Sequence, residues 1–336
     1  MKKPILTLTI ILAAAALVAG FCSPATAAVK GICSNCHTMH YSQGGTQLST
    51  WGTVGPYTTL LTNDCLGCHT TTGNVPYANG YPYVKGSGFD NDTCLAGGFF
   101  QPTAVPGDNN SNENHDIGAT AAPAGFDGVE TTWYTGTSDG LSCAGTNGCH
   151  GNQTDLDDMV AIKGGHHAPT AYRILYVGTD PVDCVDGPGT RDYEMALNDT
   201  PSSGEYYNVY SAHRDDDVTI SELCAKCHGD FHGESGNTTD VGVAGAWIRH
   251  PTDNLIPTTW GIYTTVTIDD RKWNPPGYAT PTEGVAPTGT PRATCISCHR
   301  AHGTAENDLL RFNYATQLAG QTSSTVGCLG CHDKQR

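Results

Sequence analysis

The chain has 336 residues with a formal net charge of −16; 38% of its residues are hydrophobic and 15% are charged. This acidic excess excludes nucleic acid as a partner, because that binding depends on Lys and Arg neutralising phosphates. The apolar fraction is low for a chain of this length, whereas Gly (41 residues) and Pro (19 residues) are abundant. Something other than aliphatic side chains is therefore expected to fill the interior.

Residues 1–27 have the pattern of an export signal that is removed from the mature protein. Lys2 and Lys3 give it a positive start, residues 10–20 are apolar, and ATA at 25–27 is a small-residue cleavage site. Without this leader, 15 basic residues face 33 acidic ones, a net charge of about −18. No later stretch approaches the roughly 20 apolar residues needed to span a bilayer. The sequence predicts an exported mature chain, residues 28–336, with no membrane span.

Five segments have the form C-x-x-C-H, the attachment signal of a c-type haem. In such a segment both thiols bond to the haem vinyl groups, and the histidine is the proximal ligand of the iron. Zinc knuckles and disulfides are the alternatives, but neither requires a histidine directly after the second cysteine. The five predicted sites are Cys33, Cys36 and His37; Cys65, Cys68 and His69; Cys224, Cys227 and His228; Cys295, Cys298 and His299; and Cys328, Cys331 and His332.

A sixth candidate is the segment CAGTNGCH, in which five residues separate Cys143 from Cys149 and His150 follows directly. Its turn-forming Gly and Asn residues can bulge outward and still bring both sulfurs to one haem. In the alternative, Cys143 and Cys149 form disulfides with Cys94 and Cys184, and only five haems are bound. Because His150 stands where haem attachment requires it, we expect six haems, which leaves Cys94 and Cys184 as a possible disulfide pair.

Eight histidines lie outside the motifs, enough to give each of six irons a second, distal histidine. The methionines of the mature chain, Met39, Met159 and Met195, have no convincing ligand context. Ligation by two histidines is therefore predicted throughout, and such haems have low potentials compared with Met/His haems.

The position of each remaining histidine relative to the motifs indicates which ones are candidates for distal ligands. Three of them follow a motif histidine by three or four residues, on the same side of a helical turn. Since the motif histidine already holds the near face of its own haem, the second is expected to reach a neighbouring haem. These three are His40, His232 and His302; further candidates are His115, His250 and one of the adjacent pair His167 and His166, whereas His213 is expected to be merely exposed.

The segments between the motifs are rich in Gly, Asn, Thr and Pro, and no repeat among them is apparent. That composition favours turns and irregular chain. The predicted fold is a single multihaem c-type cytochrome domain over residues 28–336, mostly coil, with short helices at the haem motifs and around residues 306–319. The chain would wrap around a continuous stack of haems, and the haem-free protein should not fold.

Several linked motifs resemble the OmcS-like nanowire cytochromes, hexahaem outer-surface proteins that polymerise into conductive filaments. They run in order through nearly the whole mature chain. They are CHTMH at 36–40, CLGCH at 65–69, HDI at 115–117, AYRIL at 171–175, SELCAKCHGDFH at 221–232, RHP at 249–251, CISCHRAHGTAENDLLRFN at 295–313 and CLGCH at 328–332.

The resemblance implies bis-histidine haems, a largely coil fold and extracellular electron transfer toward minerals or other cells. It also implies a homopolymer in which His40 ligates a haem of the adjacent subunit. The third motif departs from the family because it is longer, and the histidine expected three residues after its own His150 is missing. His166 or His167 would then replace that ligand.

Three functions compete at this point. The favoured one is a subunit of an extracellular electron-conducting filament, with redox proteins and extracellular acceptors as partners. The second is a monomeric periplasmic electron shuttle in which His40 ligates a haem of its own chain. The third is a multihaem reductase, which needs an iron with an open position. It is disfavoured because all six motifs end in histidine and distal candidates exceed irons.

Overall fold

The structure is a computed structural model that describes part of the chain. The described residues are 31–43, 46–47, 57–73, 77–78, 81–88, 94–95, 97–100, 114–115, 117, 141–167, 171–182, 184–186, 208–212, 218–228, 250, 252–257, 275–279, 281, 289–318 and 327–332. All six haem motifs fall within these ranges. The predicted signal peptide, His213 and His232 lie outside them.

Short helices carry the haem motifs, as predicted. The described α-helices are α1 (Cys65–Cys68), α2 (Asp158–Ala161), α3 (Ile220–Ala225), α4 (Cys295–Cys298) and α5 (Cys328–Cys331), of which all but α2 contain a motif cysteine. Tighter 3₁₀ turns lie at Cys33–Asn35, Thr58–Leu60, Gly145–Asn147, Tyr172–Ile174, Asn307–Leu309 and Tyr314–Thr316. The helical segment expected around residues 306–319 is thus two 3₁₀ turns.

Local side chains start the motif helices. The Asp64 carboxylate accepts a hydrogen bond from the N–H of Gly67 at the start of α1, and the Thr219 hydroxyl accepts one from the N–H of Glu222 at the start of α3. Such caps satisfy N–H groups that have no partner within the helix. The helices are therefore set by residues next to each motif, although they are only four to six residues long.

The described strands are short, and most form two-stranded ladders. They are β1 (Ser42–Gln43), β2 (Thr46–Gln47), β3 (Thr70–Thr71), β4 (Tyr77–Ala78), β5 (Tyr81–Pro82), β6 (Lys85–Gly86), β7 (Tyr176–Val177), β8 (Asp180–Pro181), β9 (Val185–Asp186), β10 (Asn208–Ser211), β11 (Asn254–Leu255), β12 (Gly277–Tyr278) and β13 (Arg292–Ala293). The exception is a five-stranded sheet in the order β11-β13-β12-β10-β9, in which only β10 and β12 are parallel.

This sheet and two motif helices share a hydrophobic core. Tyr210 of β10 lies in one cluster with Ile220 and Leu223 of α3 and Ile296 of α4. The fourth and fifth motifs are thereby attached to ordinary packed side chains, which the low apolar fraction of the sequence did not predict. The predicted fold, mostly irregular with short helices at the haem motifs, is confirmed; this sheet is the addition to it.

Cys94 and Cys184 do not form the disulfide that the sequence left open. Both are buried, but Cys94 lies in a cluster with Tyr83 and Phe99, whereas Cys184 belongs to the cluster of β10, α3 and α4. The Sγ atom of Cys184 accepts a hydrogen bond from the N–H of Ser211 at 3.3 Å. Each cysteine therefore packs as a small apolar side chain in its own part of the fold.

No helix among the described residues is long and apolar enough to cross a membrane.

Candidate haem sites

Every motif closes into the same turn, in which the N–H of the histidine donates to the carbonyl of the first cysteine. In the five C-x-x-C-H motifs the N···O distances, 2.8–3.0 Å, join His37 to Cys33, His69 to Cys65, His228 to Cys224, His299 to Cys295 and His332 to Cys328. The turn places both cysteines of a motif beside its histidine, as attachment of one haem requires.

The longer motif at 143–150, the third in chain order, closes in the same way. The N–H of His150 donates to the Cys143 carbonyl at 3.0 Å, so the added residues do not change the ends of the motif. They fold into a buried 3₁₀ turn at Gly145–Asn147. Gly145 has φ of +76°, and a β-carbon there would overlap the Asp155 carbonyl oxygen. The insertion is therefore packed inside the protein, and the motif keeps the closing hydrogen bond of the other five.

Five motif histidines face a histidine from outside the motifs. The ring centroids of each pair lie 6.0–6.3 Å apart, and the ring planes meet at angles from 20° to 83°. The pairs are His37 with His167, His69 with His166, His150 with His302, His228 with His115, and His332 with His250.

These distances fit a metal ion between the two rings. A metal–imidazole nitrogen bond is about 2 Å long, so imidazoles on opposite sides of one ion have ring centroids roughly 6 Å apart. Rotation about the nitrogen–metal axis leaves the angle between the ring planes free. Each pair also joins one motif histidine to one non-motif histidine, which is the combination that a haem bound on both faces needs.

Backbone carbonyls orient the rings. The Nδ1 atoms of His37, His69, His150 and His299 lie 3.2, 2.7, 2.9 and 2.7 Å from the carbonyl oxygens of Thr59, Pro82, Arg173 and Asp308 respectively. A carbonyl can only accept, so Nδ1 carries the proton and Nε2 keeps its lone pair for a metal. The Nδ1 atom of the non-motif His115 makes the same contact with the Ala301 carbonyl at 2.5 Å.

Burial favours the neutral form of five imidazoles of these sites. Burial lowers the pKa of His302 to about 3 and that of His228 to about 4. Burial also lowers the pKa values of His115, His150 and His299. Only a neutral imidazole binds a metal, so each ring is held in the protonation state that ligation requires.

Both members of the adjacent pair His166 and His167 face a motif histidine, although the sequence predicted that only one would serve. After α2 the chain continues in turns, with the N–H of Gly165 bonded to the Ile162 carbonyl and that of His167 to the Gly164 carbonyl. The two rings point to different motifs, the first and the second. The sequence signal was the doubling itself, because adjacent ligands suit two adjacent haems.

His299 is the one motif histidine that faces no other histidine among the described residues. His40 is exposed, next to Met39, whose side chain is 80% exposed. His40 therefore has an accessible ring at the surface, and its position does not place it against any described motif of its own chain. The remaining candidate, His232, lies outside the described residues.

Cysteines of successive motifs lie close together. The Sγ atoms of Cys65 and Cys143 and a carboxylate oxygen of Asp158 lie within 4.8 Å of one another, and the thiols of Cys224 and Cys295 share a hydrogen bond. Cys36 also lies near Cys68, Cys149 near Cys224 and Cys298 near Cys328. The six motifs therefore form a row in chain order, first to sixth.

Comparisons with known proteins agree with the motifs. The family model of the doubled CXXCH motif matches residues 289–336, which contain the fifth and sixth motifs. The chain is similar in structure to the OmcS nanowires from Geobacter sulfurreducens, with 19% identity over 90% of this chain and 88% of that one and a TM-score of 0.48.

A second similar structure is an Outer Membrane Cytochrome S filament from the same organism, with 19% identity over 89% of each chain and a TM-score of 0.36. No curated protein matches the sequence.

Proposed function

We propose that this chain is a six-haem c-type cytochrome that conducts electrons along a row of bis-histidine haems, as a subunit of an extracellular filament. The observation that carries the proposal is the set of five histidine pairs, each spaced to hold one metal ion and each containing a motif histidine. Covalent attachment through the cysteines, iron ligation by the histidines and electron transfer are the ordinary chemistry of a c-type haem.

Each motif supplies two thioether cysteines and a proximal histidine. Distal ligands are His167, His166, His302, His115 and His250 for the haems of the first, second, third, fourth and sixth motifs. His150 takes the proximal position of the third haem, because its motif has the closure and the paired ring of the others. The count of six rests on this motif.

The haems supply reversible one-electron exchange at iron, and the residues of the chain determine how that exchange is used. A haem held by a histidine on each face would have no open position for a substrate, which supports an electron carrier over a reductase. Two neutral imidazoles also favour a low potential compared with a Met/His pair. The close cysteines of successive motifs support transfer from each haem to the next in chain order.

Polymerisation is proposed to complete the haem of the fifth motif. Its proximal ligand, His299, has Nδ1 bonded to a carbonyl, so its Nε2 is oriented for a metal. Because His166 and His167 are both used within the chain, two candidates remain for the opposite face: His232 of the same chain and His40 of a neighbouring one. The exposure of His40 at the surface supports the second.

Two measurements on the purified protein test this function. A pyridine haemochrome assay should give six haems per chain; five would remove the third motif from the set. Negative-stain electron microscopy of the haem-staining fraction sheared from cells should show filaments of this chain. Monomeric particles alone would instead support a periplasmic electron shuttle whose haems are completed within one chain.

A further inference from the structure

Three of the 3₁₀ turns contain pairs of residues with left-handed backbone. The pairs are Thr59–Leu60 (φ +65° and +60°), Arg173–Ile174 (+49° and +59°) and Asp308–Leu309 (+59° and +54°). They account for six of the eight positive-φ residues other than glycine in the described part of the chain. L-residues visit this region rarely, and a β-branched side chain such as Thr59 or Ile174 is an outlier there.

Each pair contacts the histidine of an odd-numbered motif in the same way. The carbonyl of its first residue accepts the Nδ1–H of His37, His150 or His299. The carbonyl of its second residue accepts the N–H of the residue after that histidine, at 2.8, 2.6 and 2.8 Å in the same order. The leucine that follows each pair then bridges to the histidine: Leu61 to His37, Leu175 to His150 and Leu310 to His299.

The left-handed conformation explains why two successive carbonyls can do this. Successive carbonyls point to opposite sides of an extended strand but in one direction in a helical turn. A left-handed pair therefore presents both oxygens to the same histidine and its neighbour, while the chain enters and leaves extended. Extended backbone flanks the turns on both sides, at Tyr57 and Leu61, Ala171 and Leu175, and Glu306 and Leu310.

Strain that recurs at equivalent places has a common cause. The three pairs share no sequence beyond a branched aliphatic residue followed by Leu, and they lie 22, 23 and 9 residues from their histidines. Local sequence therefore does not dictate the conformation. Backbone strain concentrates at functional sites where the surrounding contacts over-determine it, and the contacts common to all three pairs are those with a motif histidine and the residue after it.

We propose that these three pairs are positioning residues that fix the ring and tautomer of the proximal histidines of the first, third and fifth haems and hold their potentials low. The inference rests on the proposed function, in which those histidines bind iron. A carbonyl that accepts the Nδ1–H makes the imidazole a more basic ligand, which stabilises the oxidised iron. Without that carbonyl, the potential of the haem rises.

Asp308 offers a charge-matched test at the fifth haem. Asp308→Asn and Asp308→Gly both remove the carboxylate but tolerate left-handed backbone, whereas Asp308→Val removes the carboxylate and disfavours that backbone. In a spectroelectrochemical titration of the purified holoprotein, the Val variant should move one of six haem components to higher potential relative to the Asn variant. The Gly variant should superimpose on the Asn variant. Equal titrations for Val and Asn, or a Gly variant shifted as far as Val, would overturn the proposal.

Thr59→Gly keeps the test decisive even if the Val variant does not accumulate. Glycine relieves the strain of a β-branched residue at φ of +65° without moving the carbonyl, so the thermal unfolding temperature should rise while the titration stays unchanged. A lower unfolding temperature or a shifted component would contradict the positioning role. The number of haems in the wild type and in every variant is measured by pyridine haemochrome. Fewer than six haems in the wild type would contradict the proposed function. A Val variant that keeps all its haems and shows no shift in potential would contradict the positioning role alone.

Discussion

The fourth and fifth motifs are supported differently from the first two. Around the fourth and fifth motifs, α3 and α4 bury Ile220, Leu223 and Ile296 against a five-stranded sheet. Around the first two motifs, neither the Cys33–Asn35 turn nor α1 contains a buried residue. The fourth and fifth motifs therefore share one hydrophobic core with this sheet, whereas the second motif, through Cys65, only borders a smaller hydrophobic cluster built around α2. In a chain with few aliphatic residues, haem replaces side chains unevenly.

Haem removal should produce the largest effect and should expose this difference. A haem-free chain, expressed in the cytoplasm without residues 1–27, is expected to lose its cooperative thermal transition, because binding of the cofactors is part of folding. Hydrogen exchange should show no protection in residues 57–73 and partial protection in residues 208–212 and 218–228. A haem-free chain that melts cooperatively, with the first motifs protected, would contradict the comparison.

Truncation within the core of the fourth and fifth motifs should come next. Ile296→Ala is expected to lower the free energy of unfolding of the holoprotein by about 2–5 kcal/mol, because Ile296 is buried in the cluster of β10, α3 and α4. The exposed Leu255 gives a matched control, for which Leu255→Ala should stay within about 0.5 kcal/mol of the wild type. Chemical denaturation followed by Soret absorbance measures both. A similar small loss for the two variants would show that this core contributes little.

A buried carboxylate joins the fourth and fifth motifs. Asp253 accepts hydrogen bonds from the hydroxyls of Ser221, at 2.7 Å, and Thr219, at 3.2 Å, and its backbone carbonyl accepts one from Arg292. Asp253→Ala leaves both buried hydroxyls without this acceptor, at an expected cost of about 2–3 kcal/mol. The exposed Asp180 is the control, since Asp180→Ala should be neutral by the same denaturation assay. Equal losses of stability in the two variants would mean that the hydrogen bonds of Asp253 do not stabilise the protein.

The smallest predicted effect concerns the contact between α2 and the 3₁₀ turn at Thr58–Leu60. Asp157 caps α2 through the N–H groups of Met159 and Val160 and accepts a 2.6 Å hydrogen bond from the Thr58 hydroxyl. Asp157→Ala should cost about 1 kcal/mol at neutral pH.

The contribution of Asp157 should also depend on pH. The Thr58 hydrogen bond is the main cause that lowers the pKa of Asp157 below its ordinary value of 3.8. The carboxylate therefore stabilises the fold at pH values above that ordinary value, and the stabilisation disappears as the pH falls through the lowered pKa. Unfolding measured from pH 7 to pH 2 should show the wild type and Asp157→Ala converging at the acid end. A constant difference would exclude the charge as its source.

The candidate haem residues could be identified in the sequence because attachment requires a fixed local pattern. The cysteines and histidines of the motifs, including the longer one, were found in this way. The pairing of His167 with His37 and of His166 with His69 could not, since it depends on how the turns after α2 face the first and second motifs. A local pattern identifies a ligand, but only the fold assigns its partner.

The left-handed pairs and the five-stranded sheet could not be predicted from the sequence either. Thr59, Arg173 and Asp308 are unlike one another, and each takes its conformation from a contact with a distant histidine. The sheet pairs strands of two to four residues from separate segments, too short for an alternating pattern to show. Both features come from long-range contacts, which residue preferences do not encode.

The most direct test of the account is a comparison of His40→Ala with His232→Ala. Both variants are purified with their haems, counted by pyridine haemochrome, examined by electron paramagnetic resonance for high-spin iron, and imaged by negative stain. The account predicts that His40→Ala keeps six haems, gains one high-spin haem and forms no filaments, whereas His232→Ala keeps low-spin haems and filaments. A high-spin haem in His232→Ala, with intact filaments and low-spin iron in His40→Ala, would contradict it.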